Sequence, residues 1–525
     1  MDEKKRSRLY IPGKWLLIGA VLVAAHTSSA LYAYLRQPSA GFHDTFMQLD
    51  LPKLGYHSSF DDWEQATPGS DSANYLHVAR NFADGHGVTS LNRDASPPKY
   101  EPFVFWGPGT PVVFGLWLKL TGGQTAMSLF VFAVLSQLIF GGIVVATAAL
   151  FTRNTFALCL TALLTGCCPP LLNFFYGVFV SNSEIVNLIP LASMYFALAK
   201  GFLAYRDPAA RWWTYAAWFA AAGVAIGAGS LVRDSLATFS VFLALYFLAG
   251  AVRSWSKPGF RRAAIAAACV VGATQVTRLP VEFWNKSRVD KFFVSSSTKV
   301  AIWQSSLWSK HDAANWYDSA GIGFGEVLDP EAAKRVNEYF AKGAKLPQVY
   351  SAWELALAIG SHPLEALEFK AARLPVIWLG TDRWPRFQWT LISVWCVGAY
   401  ALLGIYLAAR WWSGKRIPEI LYLYAIFLCC ALPLIHYEFR YSLPVWNVLL
   451  LVPGLLVEHL WTRLPGRIFQ GRIRATRAEA VGKPQPAAVK HEAVKHEAAK
   501  HETVKHETVK HETVKHEVAK HEALV

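Results

Sequence analysis

Apolar residues in this chain are grouped in long blocks that are separated by short polar segments. Most blocks hold about 20 residues, the length that an α-helix needs to cross a hydrocarbon core about 30 Å thick. The pattern predicts ten transmembrane helices. They cover approximately residues 15–35, 125–150, 156–175, 184–204, 212–231, 235–252, 262–281, 389–409, 418–436 and 441–461.

Two long polar segments, residues 36–124 and 282–388, interrupt this series of helices. The first contains an apolar stretch, Pro111 to Leu120, that is too short to span and that predicts a helix lying in the membrane interface. The second contains a helix start at Asp329, followed by a proline at the first helical position. We therefore predict an all-α polytopic membrane protein with about ten transmembrane helices, interfacial helices in the first segment and a small helical domain in the second.

The composition excludes an ordinary water-soluble enzyme. Of the 525 residues, 53% are hydrophobic and only 17% are charged, whereas soluble domains carry about a quarter of charged residues. The seven cysteines lie in or beside apolar blocks. Their spacing indicates neither a disulfide framework nor a metal site.

The net charge of +14 is explained by membrane orientation rather than by a nucleic-acid partner. Lysine and arginine are concentrated in alternate short loops, and such loops remain in the cytoplasm. This predicts that both termini are cytoplasmic and that segments 36–124 and 282–388 lie outside. We expect a multi-pass protein of the bacterial plasma (inner) membrane.

The chain ends in a tail of different composition. Residues 1–461 form the predicted membrane domain, and residues 462–525 are first rich in arginine and then contain seven Lys-His-Glu triplets. The triplets recur every five residues, a period that presents no repeated face on a helix. We expect a solvated cytoplasmic extension that is partly helical or disordered.

Charged residues at span ends are the candidates for chemistry, because an ionised group beside the hydrocarbon core is costly unless it has a partner or a function. The topology places several on the outer side, at a similar depth. They are Asp61, Asp62, Glu64, Asp71, Glu184, Arg233, Asp234, His436, Glu438 and Arg440. Carboxylates and guanidiniums at this boundary suit a reaction on a lipid-linked anionic substrate.

Several short motifs resemble those of GT-C glycosyltransferases, in the order in which that superfamily has them. More narrowly, they are similar to the protein O-mannosyltransferase and aminoarabinose-transferase-like group, and together they cover about residues 10–460. The motifs are the segment from Gly69 to Gly87 that contains Asp71, Trp106 to Pro111, Asn182 to Glu184, His362 to Trp378, and His436 to Pro444.

The resemblance implies transfer of a sugar from a polyprenyl-phosphate carrier to an acceptor hydroxyl on the outer face of the membrane. An inverting transfer needs one carboxylate that removes the acceptor proton. We predict Asp71 as this base, with Asp61 or Asp62 as the competing candidate. Glu184 is predicted to orient the acceptor or to support the base.

The leaving group of this reaction is a phosphate, so cations should stabilise the charge that develops on it. Arg233 and Arg440 are the predicted phosphate ligands, since a guanidinium binds phosphate through two hydrogen bonds. Lys99 and His436 are further candidates. No cofactor is predicted, and the spacing of ligands leaves metal dependence open.

The acceptor also stays open between a glycolipid, a polysaccharide and a protein. Protein O-mannosyltransferases usually have an Asp-Glu pair in the first outer segment, whereas Ser72 follows Asp71 here. The alternative function is a transporter or flippase of lipid-linked or envelope precursors, although such proteins place ionisable groups near the bilayer midplane. A polysaccharide ligase or polymerase of another membrane fold is a third possibility.

Overall fold

The computed structural model describes residues 3–36, 71–92, 96–104, 106–122, 126–176, 183–254, 257–295, 387–431 and 442–462, with five isolated positions between 357 and 378. By its internal contacts the chain divides into Met1–His459 and Leu460–Val525. Most of the predicted second outer segment and nearly all of the predicted tail lie outside the described residues.

Within the described ranges the protein is built from fourteen α-helices and one short β-hairpin. The helices are α1 (Glu3–Arg36), α2 (Asp71–Ala83), α3 (Gly109–Thr121), α4 (Ala126–Ala148), α5 (Thr155–Cys167), α6 (Pro169–Tyr176), α7 (Ser183–Arg206), α8 (Trp212–Val232), α9 (Ala237–Ser254), α10 (Lys257–Val289), α11 (Phe387–Trp412), α12 (Leu423–Ala431), α13 (Leu443–Leu449) and α14 (Val452–Trp461). The hairpin consists of β1 (Thr89–Asn92) and β2 (Lys99–Pro102).

The prediction of a polytopic helical membrane protein is confirmed. Nine segments of the described chain are long and apolar enough to cross a membrane, and each coincides with one of the ten predicted spans. The remaining predicted span, residues 418–436, begins with a 3-10 turn at Glu419–Leu421 and continues as α12. Its last five residues lie outside the described ranges.

Helices α7, α8 and α10 form the centre of the bundle, and small residues let them approach closely. Gly223 of α8 faces α10, where an added Cβ would lie 2.8 Å from the Ala273 side chain. Thr274 of α10 donates a hydrogen bond to the carbonyl oxygen of Gly223 over 3.1 Å. The α8–α10 contact therefore depends on the absence of a side chain at position 223.

The described part of the predicted first outer segment folds as α2, the hairpin and α3. Asn81 of α2 donates to the carbonyl oxygen of Thr89 over 2.7 Å, and the amide of Leu91 donates to His77 Nε2 over 3.1 Å. The helix predicted at Pro111 to Leu120 is present as α3. The hairpin was absent from the all-α prediction because side chains of α2, rather than an alternating apolar pattern, hold its first strand.

Helix α10 is longer than its predicted span, which ended at residue 281, and it continues to Val289. The predicted second outer segment therefore begins with two helical turns. This extension buries the side chain of Asn285, which is 1% exposed and donates to the carbonyl oxygens of Phe293 (2.7 Å) and Val294 (3.1 Å). Residues 285–287, Asn-Lys-Ser, have the pattern of an N-glycosylation acceptor, but the amide of Asn285 is not accessible.

Substituting alanine for Gly223 is expected to lower stability, because the new methyl group must push α8 away from α10. Overpacking of this kind costs about 1–3 kcal/mol. Gly272→Ala on α10 is the matched control, since no atom lies within 4 Å of an added Cβ there. Scanning fluorimetry of the purified protein in detergent measures both. Equal unfolding temperatures for the two variants would contradict this packing.

Candidate functional site

A buried ion pair joins the first turn of α7 to the end of α8. Glu184 is 3% exposed and pairs through its Oε1 with the guanidinium of Arg233. Ser183 donates to the other carboxylate oxygen of Glu184 over 3.1 Å. Removing one partner of such a pair leaves an uncompensated buried charge, so the two side chains hold each other in place.

A second group of charges lies immediately beyond this pair in the chain. Arg278 of α10 donates to Asp234 over 2.8 Å and lies 3.2 Å from the carboxylate of Glu282. Gln275 donates to the same carboxylate of Glu282 over 2.6 Å. Because Asp234 directly follows Arg233, the two ion-pair groups together connect α7, α8 and α10 at one end of the bundle. We call this end the site end.

A small cavity opens beside the Glu184–Arg233 pair. Its volume is about 30 Å³, enough for an ordered water molecule. Asn187 lines it with an oxygen that accepts no hydrogen bond from the described residues. Leu443 and Pro444 line it from α13.

The first outer segment reaches the site end through two glycines. A Cβ on Gly107 would overlap the carbonyl oxygen of Leu231, and one on Gly109 would lie 2.9 Å from the Val232 side chain. Trp106 packs against Tyr75 with ring centroids 5.6 Å apart. These contacts connect α2, through Trp106 and Gly107, to the last turn of α8. Asp71 begins α2 one helical turn before Tyr75.

The structure brings together two of the predicted site residues, Glu184 and Arg233. Lys99 lies in β2 as an exposed residue and is not among the residues that line the cavity. Asp71 starts helix α2, and the position of its side chain stays a prediction. The remaining candidates lie outside the described residues. They are Asp61, Asp62, His436, Glu438 and Arg440.

Sequence reasoning missed the contribution of α10. Gln275, Arg278 and Glu282 are spaced by three and four residues, which places them on one face of a helix. The apolar pattern of residues 262–281 conceals Gln275 and Arg278, and Glu282 lies just beyond that span at the start of a long polar segment. Three polar side chains on one helical face at the end of a span are the signal that could have found them.

Among the described residues, metal ligands do not assemble at the site end. In the described ranges no three His, Cys, Asp or Glu side chains come close enough to hold a metal ion. The carboxylates of Glu184, Asp234 and Glu282 are instead paired with guanidiniums. Among the described residues the three carboxylates outnumber the two guanidiniums, Arg233 and Arg278, so this group holds each guanidinium in a fixed position without a net positive charge of its own.

Comparisons with known proteins identify the fold. No protein-family model and no curated protein match this sequence. One similar structure is a crystal structure of the Archaeoglobus fulgidus oligosaccharyltransferase, tethered through a disulfide bond to an acceptor peptide with the NVT sequon. The match has a TM-score of 0.50 and 14% sequence identity, and it covers 85% of this chain and 50% of that chain. A structure of the same protein with zinc and sulfate gives a TM-score of 0.48, at 14% identity, over 87% and 51%.

The chain shares its fold with this oligosaccharyltransferase. It spans about half the length of the oligosaccharyltransferase that it matches. At 14% identity the comparison shows the architecture alone. The narrower likeness to the O-mannosyltransferase and aminoarabinose-transferase-like group stays a prediction.

Replacing Arg278 by methionine should destabilise the protein by about 3–5 kcal/mol, because Asp234 and Glu282 would lose their shared cation in a largely buried position. Lys286→Met is the matched control on the same helix. Lys286 pairs with the exposed Asp290, and its loss should leave stability near that of the wild type. Thermal unfolding in detergent compares the two. Similar losses in both variants would show that Arg278 does not hold the site end together.

Proposed function

We propose that this chain is a membrane glycosyltransferase that moves a sugar from a polyprenyl-phosphate carrier to an acceptor hydroxyl. The observation that carries the proposal is the buried Glu184–Arg233 pair beside a cavity. It lies at the bundle end that the lysine and arginine distribution predicts to be outside, in a fold shared with an oligosaccharyltransferase. A buried guanidinium held at the membrane boundary is suited to a lipid-linked phosphate.

The reaction follows from these charges. A carboxylate takes the proton of the acceptor hydroxyl while its oxygen forms a bond to the anomeric carbon of the sugar. The bond between that carbon and the phosphate oxygen breaks on the opposite side, and its electron pair leaves with the carrier phosphate. The attack inverts the anomeric configuration. Because phosphate is already a good leaving group, cationic stabilisation replaces a strong general acid.

Arg233 is the described residue best placed to stabilise that phosphate, with Arg440 as the predicted second cation. Glu184 acts as a positioning residue for Arg233, because it is buried and shares a direct ion pair with it. This refines the role that the sequence suggested for Glu184. The cavity wall formed by Leu443 and Pro444 supports the placement of Arg440 nearby, since only two residues separate Arg440 from Leu443.

Asp71 is the proposed general base. It begins α2, where the helix dipole favours the ionised, proton-accepting form of a carboxyl group. The packing of Tyr75 on Trp106, and of Gly107 on the end of α8, supports a position near the phosphate site. Asp61 and Asp62 remain the alternative bases.

The remaining parts of the proposal concern partners and location. The donor is a polyprenyl-phosphate-linked sugar, and the acceptor is a glycolipid, a polysaccharide or a protein. In this proposal the chain spans the plasma membrane several times, and both of its termini lie in the cytoplasm. Mass spectrometry of cell-envelope lipids and glycans, with and without the gene, identifies the transferred sugar.

Asp71→Asn should reduce sugar transfer by at least about a hundredfold, because an amide cannot accept the acceptor proton. Asp84→Asn, at the exposed opposite end of α2, is the matched control and should retain activity. Transfer is measured with protein in vesicles that contain polyprenyl-phosphate sugar. Membrane abundance of both variants is checked in parallel. Full activity of the Asp71→Asn variant would contradict this assignment and favour Asp61 or Asp62 as the general base.

Arg233→Gln should raise the donor concentration needed for half-maximal transfer by about 10–100-fold, since a charge-assisted hydrogen bond contributes about 1.5–3 kcal/mol. Arg440→Gln should behave in the same way. Arg211→Gln, at the other end of α8, is the control. If both Arg233 and Arg440 variants kept the wild-type donor dependence, the carrier phosphate would bind elsewhere.

A further inference from the structure

A second, larger pocket lies between the hairpin of the first outer segment and the last turns of α10. Its volume is about 290 Å³, close to the lower end of the range of about 300–1,000 Å³ for small-molecule sites. It shares no lining residue with the cavity beside Arg233. Arg278 and Trp284 are six residues apart on α10, which corresponds to about 9 Å along a helix axis.

One wall of this pocket is a face of the hairpin. In the register of the two strands, Thr89 is opposite Pro102 and Leu91 is opposite Tyr100. Alternation along each strand therefore places Thr89, Tyr100 and Pro102 on the same face. The ring of His86 stacks on Tyr100 with centroids 4.1 Å apart and planes at 15°. The stack gives the pocket a broad, ordered aromatic wall.

The facing wall combines an aromatic ring with a cation. Trp284 and Arg288 are four residues apart on α10 and both line the pocket, so they project from one side of the helix. Aromatic faces pack against the apolar C–H faces of a sugar ring, and a guanidinium binds a carboxylate through two hydrogen bonds. The pocket thus offers flat apolar surfaces together with one strong anion ligand.

The charges around Arg288 leave it available for a ligand. No carboxylate is among the residues that line the pocket. The nearest acid in sequence, Asp290, accepts a hydrogen bond from Lys286 over 2.6 Å, which lowers the pKa of the Asp290 carboxyl. Arg288 forms no ion pair with any described residue. Arg288 is therefore the charged side chain among the described residues that line the pocket.

We propose that this pocket binds an acidic sugar residue of the acceptor, with the ring between Tyr100 and Trp284 and the carboxylate on Arg288. Assignment to the acceptor rests on the proposed function, because α10 carries both this pocket and the ion-pair group that adjoins Arg233. An acceptor glycan held here extends along the site end toward the reacting sugar. The substrate class is thereby narrowed to a glycan that contains a uronic acid.

Binding is tested on the full-length protein in nanodiscs by saturation-transfer NMR, with methyl β-glucuronide as probe and methyl β-glucoside as its neutral counterpart. The glucuronide should bind at least about tenfold more tightly than the glucoside. Arg288→Gln should remove this preference, whereas Lys291→Gln, an exposed cation just beyond the helix, should retain it. Tyr100→Ala should weaken both probes, and Tyr100→Phe should preserve binding.

Equal binding of the two probes, or an unchanged preference in Arg288→Gln, would overturn the proposal. The measurement requires no sugar transfer, so it separates this inference from the proposed function. Selective glucuronide binding in a protein that transfers no sugar would refute the proposed function and retain the pocket as an acidic-saccharide site. Active transfer without glucuronide selectivity would refute the pocket assignment alone.

Discussion

The site end depends on the cost of placing charge at the edge of the hydrocarbon core. Glu184 is nearly inaccessible to solvent, and its negative charge is tolerable only because Arg233 neutralises it. The same requirement holds Asp234 and Glu282 to Arg278. These bonds join three separate helices, so the constraint that fixes the charges also fixes the helix ends. The resulting arrangement holds the guanidiniums of Arg233 and Arg278 in defined positions.

The helical architecture followed from the sequence because its cause is local. A block of about 20 apolar residues must form a helix in lipid, since every backbone polar group needs an internal partner. Nine of the ten spans are recovered for this reason. The β-hairpin was not predicted, since the side chains of Asn81 and His77 that hold it come from another element. Tertiary hydrogen bonds of this kind leave no periodic pattern.

The candidate site could be predicted only in part from the sequence, for a related reason. Glu184 and Arg233 stand at predicted span ends, where an ionised group attracts attention, and the structure pairs them. Asp234 is the neighbour of Arg233 in the chain, whereas the ion pair to Glu184 crosses between helices and depends on their packing. Arg278 lay hidden inside an apolar block. The pocket between Tyr100 and Trp284 joins residues far apart in the chain, and no spacing rule connects them.

The contact between the first outer segment and α8 has a mechanical consequence. Gly107 and Gly109 lay backbone directly against Leu231 and Val232, with no flexible side chain between them to absorb a displacement. A tilt of α8, such as a thicker or thinner bilayer imposes, therefore carries the loop with it. Arg233 and the backbone at Gly107 therefore move together, so the distance between them changes little when the thickness of the surrounding bilayer changes.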